Sequence, residues 1–190
     1  DNEETATLNI LNSTISGNMA GNDGGGLLNF GDDDGTATLN IVNSTISGNQ
    51  ADSDGVDDGE GGGIRNLSDD GASQATLFNS TVSGNSASHG GGLSSSGYSL
   101  TIANSTVSGN TSRREGGGVY VDYGTLDVLN STITGNRSVS DGGACGFGGV
   151  LLRLCGVGGK VELGDGRGDK LVRGIGAEET DGDFGGVGVG

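Results

Sequence analysis

The 190-residue chain has no proline and no tryptophan, and only seven of its residues are phenylalanine or tyrosine. Apolar residues make up 31%, which is too little for a conventional layered domain and fits a thin solenoid of stacked repeats. Nine basic residues stand against 25 acidic ones, so the formal net charge is −16. Because phosphate binding needs clustered Lys and Arg, this balance argues against a nucleic-acid partner. No stretch approaches the roughly 20 apolar residues of a membrane-spanning helix, so we expect no transmembrane segment in this fragment.

Glycine, by contrast, is abundant, with 43 residues. Glycine and β-branched residues at this density disfavour helices, and no long segment shows an apolar period of about 3.6 residues. The composition therefore predicts an all-β protein. The chain also opens inside a repeat, since Thr5 to Asn9 is matched by Thr36 to Asn40, and we interpret it as a domain cut from a longer protein.

A seven-residue motif, Asn-Ser-Thr-Ile-Ser-Gly-Asn, occurs five times with almost no change. Its copies begin at Asn12, Asn43, Asn79, Asn104 and Asn130, which we call the leading asparagines. The copies end at the second asparagines, Asn18, Asn49, Asn85, Asn110 and Asn136. Spacings of 31, 36, 25 and 26 residues are typical of stacked repeats.

Apolar residues stand four and two positions before each leading asparagine and three positions after it. Apolar residues at a spacing of two, with Asn, Thr or Asp between them, predict short strands with one buried face. These positions are Leu8, Leu39, Ala75, Leu100, Leu126, then Ile10, Ile41, Leu77, Ile102, Val128, then Ile15, Ile46, Val82, Val107, Ile133. The residue just before each leading asparagine is also apolar, and the sequence leaves open whether it faces outward or forms a bulge.

Each copy continues through a variable loop into a glycine run, which suits a corner where backbones approach closely. The runs are 24–26, 61–63, 90–92 and 116–118, with an imperfect one at Gly142-Gly143-Ala144. One apolar residue follows each full run and is expected to open a third strand; these are Leu27, Ile64, Leu93 and Val119. Three short strands and three corners would make one coil.

The motif, its loop and the Gly-Gly-Gly-[Leu/Ile/Val] run together resemble the right-handed parallel β-helix repeats of pectate-lyase-like proteins. They are especially similar to the chlamydial-type polymorphic outer membrane protein repeats of bacterial exported proteins. The resemblance covers roughly residues 5 to 145 and implies an all-β, right-handed parallel β-helix of about five three-strand coils. We therefore predict a β-helix domain over residues 1–145. Residues 146–190 would be a glycine-rich tail that is disordered or non-native, for instance read out of frame.

The resemblance implies a non-catalytic structural or adhesin-like segment of a secreted or cell-surface bacterial protein, located outside the cell or at its outer membrane. The alternative is a fragment of a carbohydrate-active enzyme, a polysaccharide lyase or hydrolase, with Asp, Glu, Arg or Lys projecting together from adjacent coils. A third possibility is a water-ordering or ice-binding face, because Thr and Ser flank each buried Ile or Val of the motif. The expected partner is a polysaccharide or a host or cell-surface ligand, and uncapped ends predict end-to-end self-association.

The leading asparagines are interpreted as a ladder, because stacked side-chain amides can bond from coil to coil and asparagine tolerates a left-handed corner. The alternative is N-glycosylation, since each leading asparagine opens an Asn-Ser-Thr sequon. Further sequons start at Asn66, Asn110 and Asn136.

The loop from Gln50 to Glu60 is the longest and is rich in oxygen ligands of the kind that Ca²⁺ prefers. The candidate ligands are Asp52, Asp54, Asp57, Asp58 and Glu60. A solvated acidic loop is the alternative, because no EF-hand or calcium-coil spacing is present. His89, the sole histidine, is interpreted as a surface residue, and we assign no catalytic residue and no cofactor other than Ca²⁺.

Overall fold

The computed structural model describes residues 4–32, 34–53, 55, 58–140, 143, 145–155, 160–164 and 169–173. Within these ranges the chain forms strands, turns and bends without any helix, which confirms the all-β prediction. It follows that no helix in this part of the chain is long and apolar enough to cross a membrane.

The strands, numbered β1 to β19 along the chain, form three curled sheets. The large sheet contains β1 Thr5–Leu11, β3 Leu27–Asp32, β4 Thr36–Val42, β6 Ile64–Asp69, β7 Ala72–Phe78, β10 Leu93–Ser96, β11 Ser99–Ala103, β14 Val119–Leu129, β17 Cys145–Cys155, β18 Lys160–Gly164 and β19 Asp169–Arg173. The second contains β2 Thr14–Ser16, β5 Thr45–Ser47, β8 Thr81–Ser83, β12 Thr106–Ser108 and β15 Thr132–Thr134. The third contains β9 Ser86–Ala87, β13 Thr111–Ser112 and β16 Arg137–Ser138.

Equivalent positions of successive repeats lie over one another in parallel register. Leu8 pairs with Leu39 and Leu39 with Ala75, while Ile15 pairs with Ile46 and Ile46 with Val82. Loops of different length are therefore accommodated outside the sheets, and the unequal repeat spacing does not disturb the stacking. Only β18 and β19 pair antiparallel among the described strands.

The division of each repeat into strands is finer than we predicted. The third repeat contributes β7, β8, the two-residue β9 and β10, so a short strand follows the motif before the glycine corner. In the next repeat the strand after the glycine corner runs on without a break into the strand that leads to the motif, and together they form the eleven-residue β14. The bend inside β14 falls at Gly124, whose φ is +95°.

The predicted apolar positions form the core of the stack. Ile41, Leu77 and Ile102 are fully buried, as are Ile64 and Leu93 behind their glycine runs. In the first repeat the equivalent Leu8 is 51% exposed. Burial of these stacked columns of aliphatic side chains supplies the main apolar contribution to folding.

The glycine runs lie at corners, as expected. Gly90 has a φ of +59°, which an L-residue rarely adopts. At Gly91 a Cβ atom would lie 2.2 Å from the carbonyl oxygen of Thr111, so only glycine fits between these coils. The first residue after each full run opens a strand, as predicted for β3, β6, β10 and β14.

The structure decides how the apolar residue before each leading asparagine is oriented. Leu11 is 57% exposed and Phe78 is 40% exposed, while Leu8 and Leu77 belong to the alternating inward set. Ser13 lies two residues beyond Leu11 and donates its hydroxyl hydrogen bond to the Leu11 carbonyl. The residue before each leading asparagine therefore faces outward, next to a tight turn. It continues the alternation of the strand and does not form a bulge.

The backbone of β17 pairs with β14 from Cys145 opposite Val119 to Cys155 opposite Leu129. The sequence pattern did not predict this continuation, because residues 145–155 contain no copy of the motif. The boundary that we placed after residue 145, and the non-native nature of the tail, stay predictions. Residues 156–159, 165–168 and 174–190 lie outside the described residues.

Candidate functional site

The second asparagines form a continuous amide ladder through the stack. The Nδ2 of Asn49 donates to the Oδ1 of Asn85 at 3.0 Å, and that of Asn85 donates to Asn110 at 2.9 Å. Each Oδ1 also accepts the backbone N–H of the preceding asparagine, and each Nδ2 reaches a strand carbonyl such as that of Ile46. Asn49, Asn85 and Asn110 are at most 1% exposed, so the three central rungs saturate polar groups that water cannot reach.

A second ladder runs through the serine that follows each leading asparagine. The backbone N–H of Ser44 donates to the Ser80 hydroxyl at 3.1 Å, and that of Ser80 donates to Ser105 at 3.0 Å. Each hydroxyl in turn donates to the carbonyl two residues earlier, as Ser80 does to Phe78 at 2.8 Å. The motif is thus held by two parallel hydrogen-bond columns.

The ladder that we expected at the leading asparagines lies six residues further on, at the second asparagines. All five leading asparagines have a positive φ of 47° to 50°, as predicted, and their backbones are in column. Their side chains are exposed, however, and of these amides only Asn43 donates to a neighbouring leading asparagine, Asn12, at 3.2 Å. The prediction of a left-handed corner is confirmed, whereas the buried ladder belongs to the second asparagines, because those side chains point into the core.

Polar side chains gather outside the sheet, beside the point where each glycine run begins. The residues immediately before the runs, Asp23, Glu60, His89 and Glu115, are stacked, because the carbonyl of each of the last three accepts from the first glycine of the run below. Alongside them the outward positions Arg65, Ser94 and Tyr120 are in register on β6, β10 and β14. We call these seven residues the corner cluster.

Arg65 is the centre of one half of the corner cluster. Its side chain is only 6% exposed, and its Nη1 lies 2.7 Å from Glu60 Oε2 and donates to Ser94 Oγ at 2.8 Å. The Ser94 hydroxyl closes the triangle by donating to the same Glu60 oxygen at 2.6 Å. Asp23 lies 3.9 Å from Arg65 Nε, an atom that forms no hydrogen bond within the described structure.

His89, Glu115 and Tyr120 form the other half. His89 Nε2 lies 2.8 Å from Glu115 Oε2, and the imidazole ring is 5.2 Å from the Tyr120 ring. Its Nδ1 is buried without a hydrogen-bond partner in the described structure. His89 is therefore a partly enclosed member of this network, with its side chain 13% exposed, whereas we predicted a surface residue.

Charged residues from both halves of the corner cluster act on the Tyr120 phenol. Burial raises the pKa of Tyr120 from 10.0 to about 12, and the charges of Asp122, Glu60 and Glu115 add to this effect. Arg65 acts in the opposite direction. Two of the three carboxylates of the corner cluster, Glu60 and Glu115, therefore act on the same phenol.

The calcium candidates are spread over different partners. Glu60 belongs to the corner cluster, Asp58 pairs with Arg114 at 2.7 Å, and Asp52 pairs with Arg113 and accepts from the Ser88 hydroxyl at 2.7 Å. Asp54 and Asp57 lie outside the described residues. In the described ranges no three His, Cys, Asp or Glu side chains are grouped so that they could hold a metal ion. The calcium site stays a prediction.

The hydroxyl columns predicted on the motif do face outward. In β5, β8 and β12 a buried Ile or Val stands between partly exposed Thr and Ser residues, and the strands are in register. The geometry of the two columns is confirmed, and their proposed effect on ice stays a prediction.

From the sequence we singled out Glu60 only as a candidate calcium ligand, and we did not predict that the corner cluster forms a group. The signal is present, because the residue before every full glycine run is ionisable. The pattern is hard to recognise because the residue type at this position changes from repeat to repeat. Tyr98 and Tyr123, two further tyrosines of the repeats, lie apart from this network and are 68% and 64% exposed.

Comparison of the chain with protein-family models, with curated proteins and with solved structures finds no match.

Proposed function

We propose that this chain is a non-catalytic segment of a secreted or cell-surface bacterial protein, built as a right-handed parallel β-helix and serving as a stalk or adhesin-like passenger. The observation that carries the proposal is the pair of Asn and Ser ladders, which run through all five copies of the motif. Residues that recur at identical positions form the hydrogen bonds that hold successive coils together. The right-handed sense of the coil is supported by the strong preference of parallel strands for right-handed crossover connections.

The pairing inside the corner cluster supports a non-catalytic role. Arg65 is held by Glu60 and Ser94, and Glu115 is held by His89, so the ionisable groups are engaged with one another. The expected partner of such a segment is a polysaccharide or a host or cell-surface ligand, and coil ends that stack on other coils would give end-to-end association.

A carbohydrate-active enzyme is the second candidate, and the corner cluster is what favours it. Glu60 and Glu115 flank His89 on an outward surface, two strand spacings apart, or about 10 Å between backbones. Carboxylates on either side of a bound sugar are the usual acid and base of glycoside hydrolysis. In that case Glu115, which is 41% exposed at its side chain, is the accessible base.

Turnover assays separate the two candidates. The folded chain is incubated with pectin and with neutral and acidic polysaccharides, with and without Ca²⁺, and release of reducing ends and of unsaturated uronates is measured. We expect no turnover above that of the matched Glu115→Gln variant. Turnover that Glu115→Gln abolishes while the protein stays folded would replace our proposal by the enzyme.

A further inference from the structure

The leading asparagines form an exposed column on one edge of the stack. Asn12, Asn43, Asn79, Asn104 and Asn130 are all exposed, each with its backbone in the left-handed conformation. In the described part of the chain the side chains of Asn79, Asn104 and Asn130 form no hydrogen bond, unlike the second asparagines. Five chemically identical amides are thus presented to solvent.

Each of these amides opens an Asn-Ser-Thr sequon whose other residues are arranged differently. The serine is turned inward, and Ser44, Ser80 and Ser105 are 3% to 4% exposed. The threonine two positions on is outward-facing on its strand, as Thr45 and Thr81 are. The amide and the outward threonine, the two residues that define the sequon, therefore lie on the accessible surface.

The remaining sequons have the opposite geometry. Asn66 and Asn110 are at most 1% exposed, and Asn136 is 9% exposed. Their amides are already bonded, Asn110 to Asn136 Oδ1 and to the Val82 carbonyl, and Asn66 to Ser95. In the folded chain these amides are unavailable for a covalent reaction.

We propose that the leading asparagines are acceptor sites for N-linked sugar. The reaction joins Nδ2 of the asparagine to the anomeric carbon of a sugar activated as a nucleoside diphosphate. A C–N bond forms, the bond from C1 to the diphosphate oxygen breaks, the diphosphate leaves with the bonding electrons, and the amide gives up one proton to the transferase. The inference depends on the exposed column and is independent of the stalk function proposed above.

The stacking also predicts a pattern of occupancy. Neighbouring acceptors are one parallel strand spacing apart, about 4.8 Å, as shown by the backbone bonds from Asn43 to Phe78 and from Asn79 to Ala103. A sugar on one coil covers the amide on the next, because a bulky surface group needs more room than one strand. We expect alternate members to be modified on any one molecule, either Asn12, Asn79 and Asn130 or Asn43 and Asn104.

The test uses the folded chain, UDP-glucose and a soluble N-glycosyltransferase that recognises Asn-X-Ser/Thr, with sites mapped by peptide mass spectrometry. We expect hexose on the leading asparagines, never on two neighbours of one molecule, and none on Asn66, Asn110 or Asn136. Proteolytic peptides of the same chain serve as the control, since all eight sequons should then react. Reaction at Asn110 in the folded chain, or no reaction at any leading asparagine while the peptides react, would overturn the proposal.

A matched variant checks the site at single-residue level. Thr45→Ala destroys the sequon of Asn43 and leaves the asparagine in place, so we expect the Asn43 signal to vanish and occupancy at Asn12 and Asn79 to rise. If Thr45→Ala does not fold, Asn43→Gly tests the same point, because glycine keeps the positive φ of 50°. An unchanged pattern at Asn12 and Asn79 would contradict the steric coupling.

Discussion

The seven-residue motif and the corner cluster are stacked in the same way, but they repeat different things. In the motif the same residue returns in every coil, so Asn85 meets Asn49 on one side and Asn110 on the other. In the corner cluster only the ionisable character of the position returns, so Glu60 meets His89 on one side and Asp23 on the other. Identical repetition produces ladders that hold the stack, whereas positional repetition produces a local network of unlike groups.

The largest expected effect is on the ladder. Asn85→Ala leaves the Asn49 amide N–H groups, the Asn110 Oδ1 and the Ile46 carbonyl without this partner, all in the buried region. Since each orphaned buried group costs about 1–3 kcal/mol, we expect the free energy of unfolding to fall by about 4 kcal/mol. Urea denaturation followed by circular dichroism measures it.

The control for this prediction is the leading asparagine of the same copy. Asn79→Gly keeps the positive φ of 48° and removes an exposed amide, so we expect a change within about 0.5 kcal/mol. Equal losses in Asn79→Gly and Asn85→Ala would show that the two asparagines are not functionally different and would remove the contrast within the motif.

This contrast also shows how far the sequence leads. The all-β class, the longer strands before each motif and the glycine corners follow from the period-two alternation and from residues such as Leu93 and Gly90. The ladder was assigned to the wrong asparagine, because both positions are equally regular in sequence. Only the direction of the side chain distinguishes Asn79 from Asn85, and that direction is set by the left-handed backbone of the turn.

The corner cluster escaped prediction for a different physical reason. Arg65 and Glu60 are five residues apart, but Ser94 and His89 reach them from the next coil through stacking. A repeat-by-repeat alignment finds positions with shared identity and passes over positions whose side chains are complementary. Such contacts between coils are visible only in the folded structure.

Breaking the corner cluster should have a smaller effect than breaking the ladder. Arg65→Met leaves Glu60, 23% exposed at its side chain, without its cation, and Asp23 loses the same neighbour. We expect a loss of about 2 kcal/mol, below the range for a fully buried pair because Glu60 retains some water. Urea denaturation at neutral pH gives the value.

A double variant shows whether the loss comes from this pair. Glu60→Gln removes the uncompensated charge and keeps an oxygen for the Ser94 hydroxyl, so Arg65→Met combined with Glu60→Gln should be more stable than the sum of the single losses predicts. Simple additivity would mean that Arg65 acts through packing alone.

The smallest effect at neutral pH is expected at Tyr120, which contributes to the pH dependence of the unfolding free energy. The folded chain favours the neutral phenol, since the pKa of Tyr120 is raised to about 12 by burial and by Asp122, Glu60 and Glu115. The stability that this neutral form contributes is fully present below pH 10, the ordinary value, and is lost as the pH rises through about 12.

Tyr120→Phe cannot ionise, so it should match the wild type within about 0.5 kcal/mol at neutral pH. Above pH 10 its unfolding free energy should fall less steeply with pH. The difference between the ultraviolet titration curves of wild type and variant isolates the phenol, and a midpoint at the ordinary value would show that Tyr120 does not sense the carboxylates of the corner cluster.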